Sequence, residues 1–175
     1  MAGARDVATF GVKYLNPGSS TGEAAFLKAV IHPVLLWLAP PSKKEEPLLF
    51  ATRAGGRSKR PSPGRAMFFF VEKSVKNAFT DEVTVGRTSN NDVTIEENSV
   101  SRFHAYFKPG AKGAGWTLVD AKSTAGTYVG GKKLEPKTPV VLTNAAVVRI
   151  GDVELQFLEP KGFWQYMQEL IKPRR

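Results

Sequence analysis

Two arginines and two hydroxyl residues give this sequence its clearest chemistry. Arg87 and Arg102 supply permanently charged, forked hydrogen-bond donors that match the geometry of a phosphate group. Ser101 and Thr124 place hydroxyl donors in the same polar segments, and Gly126 allows the backbone to approach a ligand closely. These residue types together predict a site that binds phosphate.

A catalytic or metal site is not expected beside these residues. The sequence contains no cysteine, which excludes disulfides, thiolate catalysis and zinc or iron–sulfur sites built on cysteine. His32 and His104 are its two histidines, which is too few for a His-rich metal site. No base, nucleophile and orienting acid converge on the polar segments. We therefore expect a binding protein that is not an enzyme, with no catalytic residue, no metal and no cofactor.

The polar segments follow one another in a specific order. They read Gly86-Arg87, Asn91-Asp92, Ser101-Arg102-Phe103-His104-Ala105 and Ser123-Thr124-Ala125-Gly126-Thr127. With this order and spacing, the chain from about residue 47 to residue 158 resembles a forkhead-associated (FHA) domain. That family folds as an eleven-stranded β-sandwich and binds phosphothreonine peptides through loops at one end. The resemblance implies a partner protein or peptide that contains phosphothreonine.

The resemblance also implies a role for each residue of the site. Arg87 matches the arginine that grips the phosphate, and Ser101 matches the serine that hydrogen-bonds it. Arg102 lies where family members contact phosphate or peptide, and Thr124 matches the residue that helps to close the phosphothreonine pocket. Three residues are expected to shape the binding loops: Gly86, His104 and Gly126. We expect Asp92 and Asp120, at strand ends, to be structural.

One binding position departs from the family pattern. Ala125 stands where the family has an asparagine whose amide holds the peptide backbone. Alanine neither donates nor accepts a hydrogen bond, and an unpaired peptide group costs about 1–3 kcal/mol. We expect phosphate recognition to survive while peptide positioning weakens, with Asn98 or Asn144 as candidate substitutes. A phosphate-independent interaction scaffold remains the alternative function.

The excess positive charge behind the net charge of +9 is concentrated in the segments that flank residues 79–159. Residues 47–78 hold seven basic and one acidic side chains, whereas residues 79–159 hold nine and ten. The basic stretch Arg53–Arg65 is rich in glycine, serine and proline, which favours a solvated loop. Basic stretches also suit nucleic acid, but no aromatic residue is interleaved here. Nucleic-acid binding through this loop is therefore the least favoured of the three functions.

Short β-type segments separated by turn signals dominate the chain after residue 47. Leu48–Thr52 and Ala66–Glu72 are expected to be strands, and similar segments continue to Leu158. This pattern predicts a mainly β fold, a sandwich with helical extensions at both ends. The resemblance implies that the sandwich is of the FHA type and has eleven strands. The expected division is a helical N-terminal extension (1–46), the sandwich (47–159) and a C-terminal helix (160–175).

The N-terminal extension contains an apolar helix that needs a cover. We expect this helix over about Gly22–Ile31, with Val34–Leu38 forming another turn or two. The preferred hypothesis is that it packs against the C-terminal helix and the sandwich. The alternative is a partner protein or a second copy docked on four apolar residues, Phe26, Val30, Val34 and Trp37.

No membrane contact is expected. The most apolar stretch, Ala24–Ala39, is interrupted by Lys28, His32 and Pro33, and it is shorter than the ~20 residues of a spanning helix. The pattern of a signal peptide is also missing. We therefore expect a cytoplasmic protein.

Overall fold

Two β-sheets stack face to face in the computed structural model, which describes residues 4–15, 22–38, 66–75, 77–110 and 115–171. Twelve strands and three helices lie within these ranges. In chain order they are β1 (Arg5–Asp6), α1 (Val7–Leu15), α2 (Glu23–Ala29), β2 (Val34–Leu38), β3 (Ala66–Phe70), β4 (Val83–Gly86), β5 (Val93–Thr94), β6 (Ala105–Pro109), β7 (Trp116–Asp120), β8 (Thr127–Val129), β9 (Lys132–Lys133), β10 (Val140–Leu142), β11 (Ala146–Ile150), β12 (Val153–Leu158) and α3 (Pro160–Ile171).

The strands divide into a seven-stranded sheet, ordered β1-β3-β2-β12-β11-β8-β9, and a five-stranded sheet, ordered β10-β7-β6-β4-β5. Neighbouring strands are antiparallel except for β4 and β5, which are parallel. The prediction of a mainly β sandwich with helices at both ends is confirmed. The described residues contain twelve strands where eleven are expected. Ten of them lie within residues 47–159, and β1 and β2 precede residue 47.

The main core lies between the two sheets. Phe107 of the five-stranded sheet stacks on Phe157 of the seven-stranded sheet, with ring centroids 6.3 Å apart. Both rings are fully buried, as are Leu118 and Ile150 from the same two sheets. Burial of this apolar surface fixes the strand ends from which the polar loops project.

The prediction that Val34–Leu38 continues the N-terminal helix is wrong. This segment is β2, a strand in the interior of the seven-stranded sheet, paired with β3 on one side and β12 on the other. Leu35 and Trp37 face the main core, whereas Val34 and Leu36 face a second apolar cluster under the helices. The sandwich therefore begins before residue 47, and the expected boundary between residues 46 and 47 is wrong as well. The expected strand Leu48–Thr52 and the basic stretch Arg53–Arg65 lie outside the described residues.

The three helices cover the outer face of the seven-stranded sheet. Phe26 of α2 contacts Trp164 of α3 at 5.1 Å between ring centroids, and Phe163 of α3 contacts Phe68 of β3 at 4.8 Å. The hypothesis that the terminal helices cover each other and the sandwich is confirmed. The alternative of a docking surface is wrong for its four residues, because all of them are buried inside the chain: Phe26, Val30, Val34 and Trp37.

Within the described ranges, every helix is too short or too polar to span a bilayer.

Candidate functional site

An open pocket of about 920 Å³ lies at one end of the five-stranded sheet. Three loops line it: the loop after β4, the loop before β6 and the loop after β7. Antiparallel pairing brings these loops together, because Val85 of β4 and Asp120 of β7 both pair with Ala105 of β6. The strands therefore deliver all three loops to one edge of the sheet.

The structure brings the five residues expected to contact the ligand into this one pocket. They are Arg87, Ser101, Arg102, Thr124 and Ala125. Lys122 adds a third positive charge, and none of the described residues that line the pocket is aspartate or glutamate. The pocket is therefore suited to an anionic ligand.

Hydrogen bonds link the residues that are expected to donate to a phosphate. The Arg87 N–H donates to the Ser101 carbonyl at 2.9 Å, and the Thr124 N–H donates to the Ser101 Oγ at 3.1 Å. Accepting this bond leaves the Ser101 hydroxyl its own proton to donate to a ligand. The Arg87 guanidinium is exposed and donates from Nη1 to the Asn98 Oδ1 at 3.3 Å. This contact holds a charged donor at the mouth of the pocket.

His104 links the loop before β6 to the loop after β7 and does not line the pocket. Its Nδ1 accepts the Ser101 N–H at 3.0 Å, and its Nε2 lies 3.1 Å from the Gly126 carbonyl. These partners require the proton on Nε2, which then donates to Gly126. Burial lowers the pKa of His104 below its usual value, although the hydrogen bond to Gly126 and the charge of Asp120 favour protonation. The residue is therefore a neutral crosslink between two loops.

Gly86, at the end of β4, lets the backbone of the loop before β6 pass very close to it. A Cβ atom at this position would lie 2.1 Å from the Arg102 carbonyl oxygen and 2.7 Å from the Asn91 Nδ2. The buried Asn91 uses the same close approach, since its Nδ2 donates to the Arg102 carbonyl at 2.7 Å and to the Thr88 carbonyl at 2.8 Å. Gly126 has φ +84°, a conformation that favours glycine, and packs against the Lys133 side chain.

The two strand-end aspartates are structural, as expected. Asp120 accepts hydrogen bonds from the Ser123 N–H and from two hydroxyls, Ser123 Oγ and Thr127 Oγ1. Asp92 is buried and accepts from Lys73, Ser74, Asn77 and Thr84. Burial alone raises the pKa of the Asp92 carboxyl, but the hydrogen bonds outweigh it and hold this pKa well below its usual range.

Sequence reasoning did not single out several further lining residues as site residues. They are Thr88, Asn90, Ser99, Val100, Phe103 and Lys122. All of them stand inside the polar segments of the sequence or within two residues of one. Lys122 has φ +64°, which marks a tight turn.

The two candidate substitutes for the missing asparagine lie in different places. Asn98 lines the pocket, whereas the Asn144 Oδ1 accepts the Glu159 N–H ahead of α3. Only Asn98 is therefore placed to assist a bound peptide.

Comparison with known proteins gives related sequences and structures. Residues 83–151 match the FHA domain family. E3 ubiquitin-protein ligase rnf8 of Danio rerio is 40% identical over 74 residues, which cover 40% of this chain and 15% of that protein. The crystal structure of the FHA domain of CT664 protein from Chlamydia trachomatis has a TM-score of 0.47 at 18% identity, covering 73% of this chain and 97% of that one.

A second relative matches over more of its length. The oxoglutarate dehydrogenase inhibitor of Corynebacterium diphtheriae is 32% identical over 115 residues, which cover 62% of this chain and 76% of that protein. The chain thus spans a small part of the zebrafish ligase and about three quarters of the corynebacterial inhibitor. Residues 83–151, which match the FHA domain family, contain the loops that form the pocket. The chain belongs to the forkhead-associated (FHA) domain family.

Proposed function

We propose that this chain is a phosphothreonine-peptide-binding adaptor module in kinase-linked signalling. The observation that carries the proposal is the convergence of Arg87, Ser101, Arg102 and Thr124 on one open pocket whose described lining has no carboxylate. Membership of the FHA family supports the same function. The protein acts in the cytoplasm by bringing a phosphorylated partner to another protein, without catalysing a reaction itself.

The charges of the pocket match those of the ligand. A phosphothreonine brings about −1.5 to −2 charges and three strong acceptor oxygens at neutral pH. Arg87 and Arg102 are the charged donors for these oxygens, Ser101 supplies a hydroxyl donor, and Thr124 closes the pocket beside it. A hydrogen bond to such a charged group contributes about 1.5–3 kcal/mol, so that two or three give useful but reversible affinity.

Ala125 supports a second candidate function, a phosphate-independent interaction scaffold. It lines the pocket at the position where the family's asparagine would hold the peptide backbone. Without that amide, the protein retains donors for phosphate but has lost one anchor for the peptide. The experiment must therefore separate dependence on phosphate from binding of the peptide as a whole.

Binding of three degenerate peptide libraries tests the proposal. Phosphothreonine, phosphoserine and unphosphorylated libraries are titrated by fluorescence anisotropy into the wild-type chain, Arg87→Ala and Lys161→Ala. Lys161 is exposed on α3 outside the pocket, so it controls for the loss of one positive charge. We expect Arg87→Ala to weaken phosphothreonine binding roughly 10- to 100-fold, and Lys161→Ala to leave it unchanged.

Equal binding of all three libraries, insensitive to Arg87→Ala, would contradict the proposal and favour the scaffold. Binding of nucleic acid that falls steeply with salt, without binding of any peptide library, would favour the nucleic-acid-binding function. The partner surface would then have to be sought in the basic stretch Arg53–Arg65 instead of the pocket.

A further inference from the structure

Three stacked aromatic side chains form an exposed surface beside the pocket. The Phe103 ring lies between those of Phe79 and Tyr106, with centroid separations of 5.7 Å and 6.2 Å and interplanar angles of 14° and 11°. Phe79 is 47% exposed and Phe103 is 38% exposed, an unusual degree of exposure for phenylalanine in a folded protein. We call these three residues the aromatic patch.

A buried carboxylate holds the aromatic patch in place. The Phe79 N–H donates to the Asn77 Oδ1 at 3.2 Å, and the Asn77 Nδ2 donates to the Asp92 Oδ2 at 3.0 Å. Asp92 also accepts the Thr84 N–H from β4 at 2.8 Å. The segment before β4 is thus anchored to the sheet while its phenylalanine remains at the surface. A ring that is already ordered loses little conformational freedom when a ligand packs on it.

The aromatic patch is continuous with the pocket. Phe103 lines the pocket and follows Ser101 and Arg102 in the same loop. The two centroid separations make the patch about as long as three to four residues of extended peptide, at roughly 3.3 Å per residue. Because Phe103 itself lines the pocket, a peptide whose phosphate is held there passes beside the patch within a few residues of the phosphothreonine.

Resting on the proposed function, we propose that the aromatic patch binds an apolar side chain of the same phosphopeptide, within about four residues of the phosphothreonine. This contact selects among phosphothreonine sequences. It also provides a second anchor for a peptide that lacks the backbone contact missing at Ala125. Burial of this side chain against the Phe79 and Phe103 rings supplies the affinity.

The test uses phosphothreonine peptides in which one leucine is moved stepwise through an alanine–serine background. Each peptide, and its unphosphorylated form, is titrated into the wild-type chain, Phe79→Ser, Val75→Ser and Arg87→Ala. Val75 is a matched control because it is fully exposed in the same segment as Phe79 and stands outside the aromatic patch. Chemical denaturation of Phe79→Ser shows that the variant is folded.

We expect leucine at one flanking position to tighten wild-type binding roughly fivefold to tenfold. Phe79→Ser should remove this preference while binding stays dependent on phosphate and on Arg87, and Val75→Ser should retain it. Phosphate-dependent binding with no leucine preference, or with a preference that survives Phe79→Ser, would overturn the inference and leave the proposed function standing.

Two other outcomes would also overturn the inference. Self-association that Phe79→Ser abolishes, with peptide affinities unchanged, would assign the aromatic patch to a second copy of the chain. Binding that depends on neither phosphate nor Arg87 would overturn the proposed function, and the inference with it.

Discussion

Ala125 lines the pocket and lacks the side-chain amide that the resemblance to the family implies at this position. Asn98 lines the same pocket, but its Oδ1 already accepts a hydrogen bond from the Arg87 guanidinium. We therefore expect Ala125→Asn to tighten phosphothreonine-peptide binding by about 1 kcal/mol, or roughly fivefold. Fluorescence anisotropy measures the change, with Ala121→Asn, outside the pocket lining, as the control. An unchanged affinity would mean that the bound peptide does not pass this position.

His104 makes the stability of the loops depend on pH. Burial lowers its pKa in the folded chain, whereas the unfolded chain keeps a value near 6.5. Below that value the unfolded state binds the proton more readily, so the free energy of unfolding falls as the pH is lowered, by at most about 1.4 kcal/mol per pH unit. Asp92 does not contribute to this pH dependence. Because its pKa is lowered in the folded chain, its protonation changes the free energy of unfolding only below about pH 4.

Chemical denaturation at about pH 7.5 and about pH 5.5 checks this expectation. His104→Gln, which cannot become charged, should flatten the dependence. A wild-type protein equally stable at both values would show that the neutral crosslink between Ser101 and Gly126 does not limit stability.

Among the elements of the site, the loops after β4 and before β6 depend on the absence of a side chain at Gly86. Gly86→Ala would place Cβ 2.1 Å from the Arg102 carbonyl oxygen, and backbone cannot yield as a flexible side chain does. We expect a loss of about 2 kcal/mol or more in stability, by overpacking and by disturbance of the buried Asn91 hydrogen bonds. Thermal and chemical denaturation measure this loss.

Gly22→Ala is the matched control, because nothing lies within 4 Å of a Cβ there and the substitution should cost about 1 kcal/mol or less. Phosphopeptide affinity should fall in Gly86→Ala alone. Equal losses of stability in the two variants would show that the backbone near Gly86 can shift to accept a Cβ atom at little cost.

The elements differ in how far the sequence predicts them. The sandwich strands that carry the pocket could be predicted because they alternate or are β-branched, and the polar segments between them mark the loops. β2 could not, because Val34–Leu38 is apolar at every position, and burial on both faces removes the period that separates strand from helix. β9, Lys132–Lys133, is a charged strand of two residues that owes its existence to pairing with β8.

The pocket and the aromatic patch also differ in how far the sequence predicts them. Motif order predicts Arg87, Ser101 and Thr124 as site residues, and all three line one pocket. The stacking of Phe79 on Phe103, in contrast, joins segments that lie apart in the sequence. The Phe79 backbone is linked through Asn77 to the buried Asp92, and this link is visible only in the tertiary structure. Local motifs thus predict the candidate phosphate donors, and the neighbouring surface is found only in the tertiary structure.

In the molecule as a whole, β2 joins two apolar cores. Leu35 and Trp37 belong to the core between the sheets, and Val34 and Leu36 belong to the cluster under the helices. A strand shared in this way couples the helical layer to the sandwich that carries the pocket. We therefore expect the described parts of the chain to unfold together, although the N-terminal helices contribute no residue to the pocket lining.

Phe26→Ala tests this coupling. Phe26 is fully buried and contacts Tyr14, Phe163 and Trp164 through its ring, so its loss should cost about 3–5 kcal/mol. Denaturation followed by tryptophan fluorescence and by far-ultraviolet circular dichroism should show one transition, shifted equally in both signals. Ile31→Ala, at a residue 70% exposed, should change stability by about 0.5 kcal/mol or less. A second transition that Phe26→Ala leaves in place would show that the sandwich folds without its helical layer.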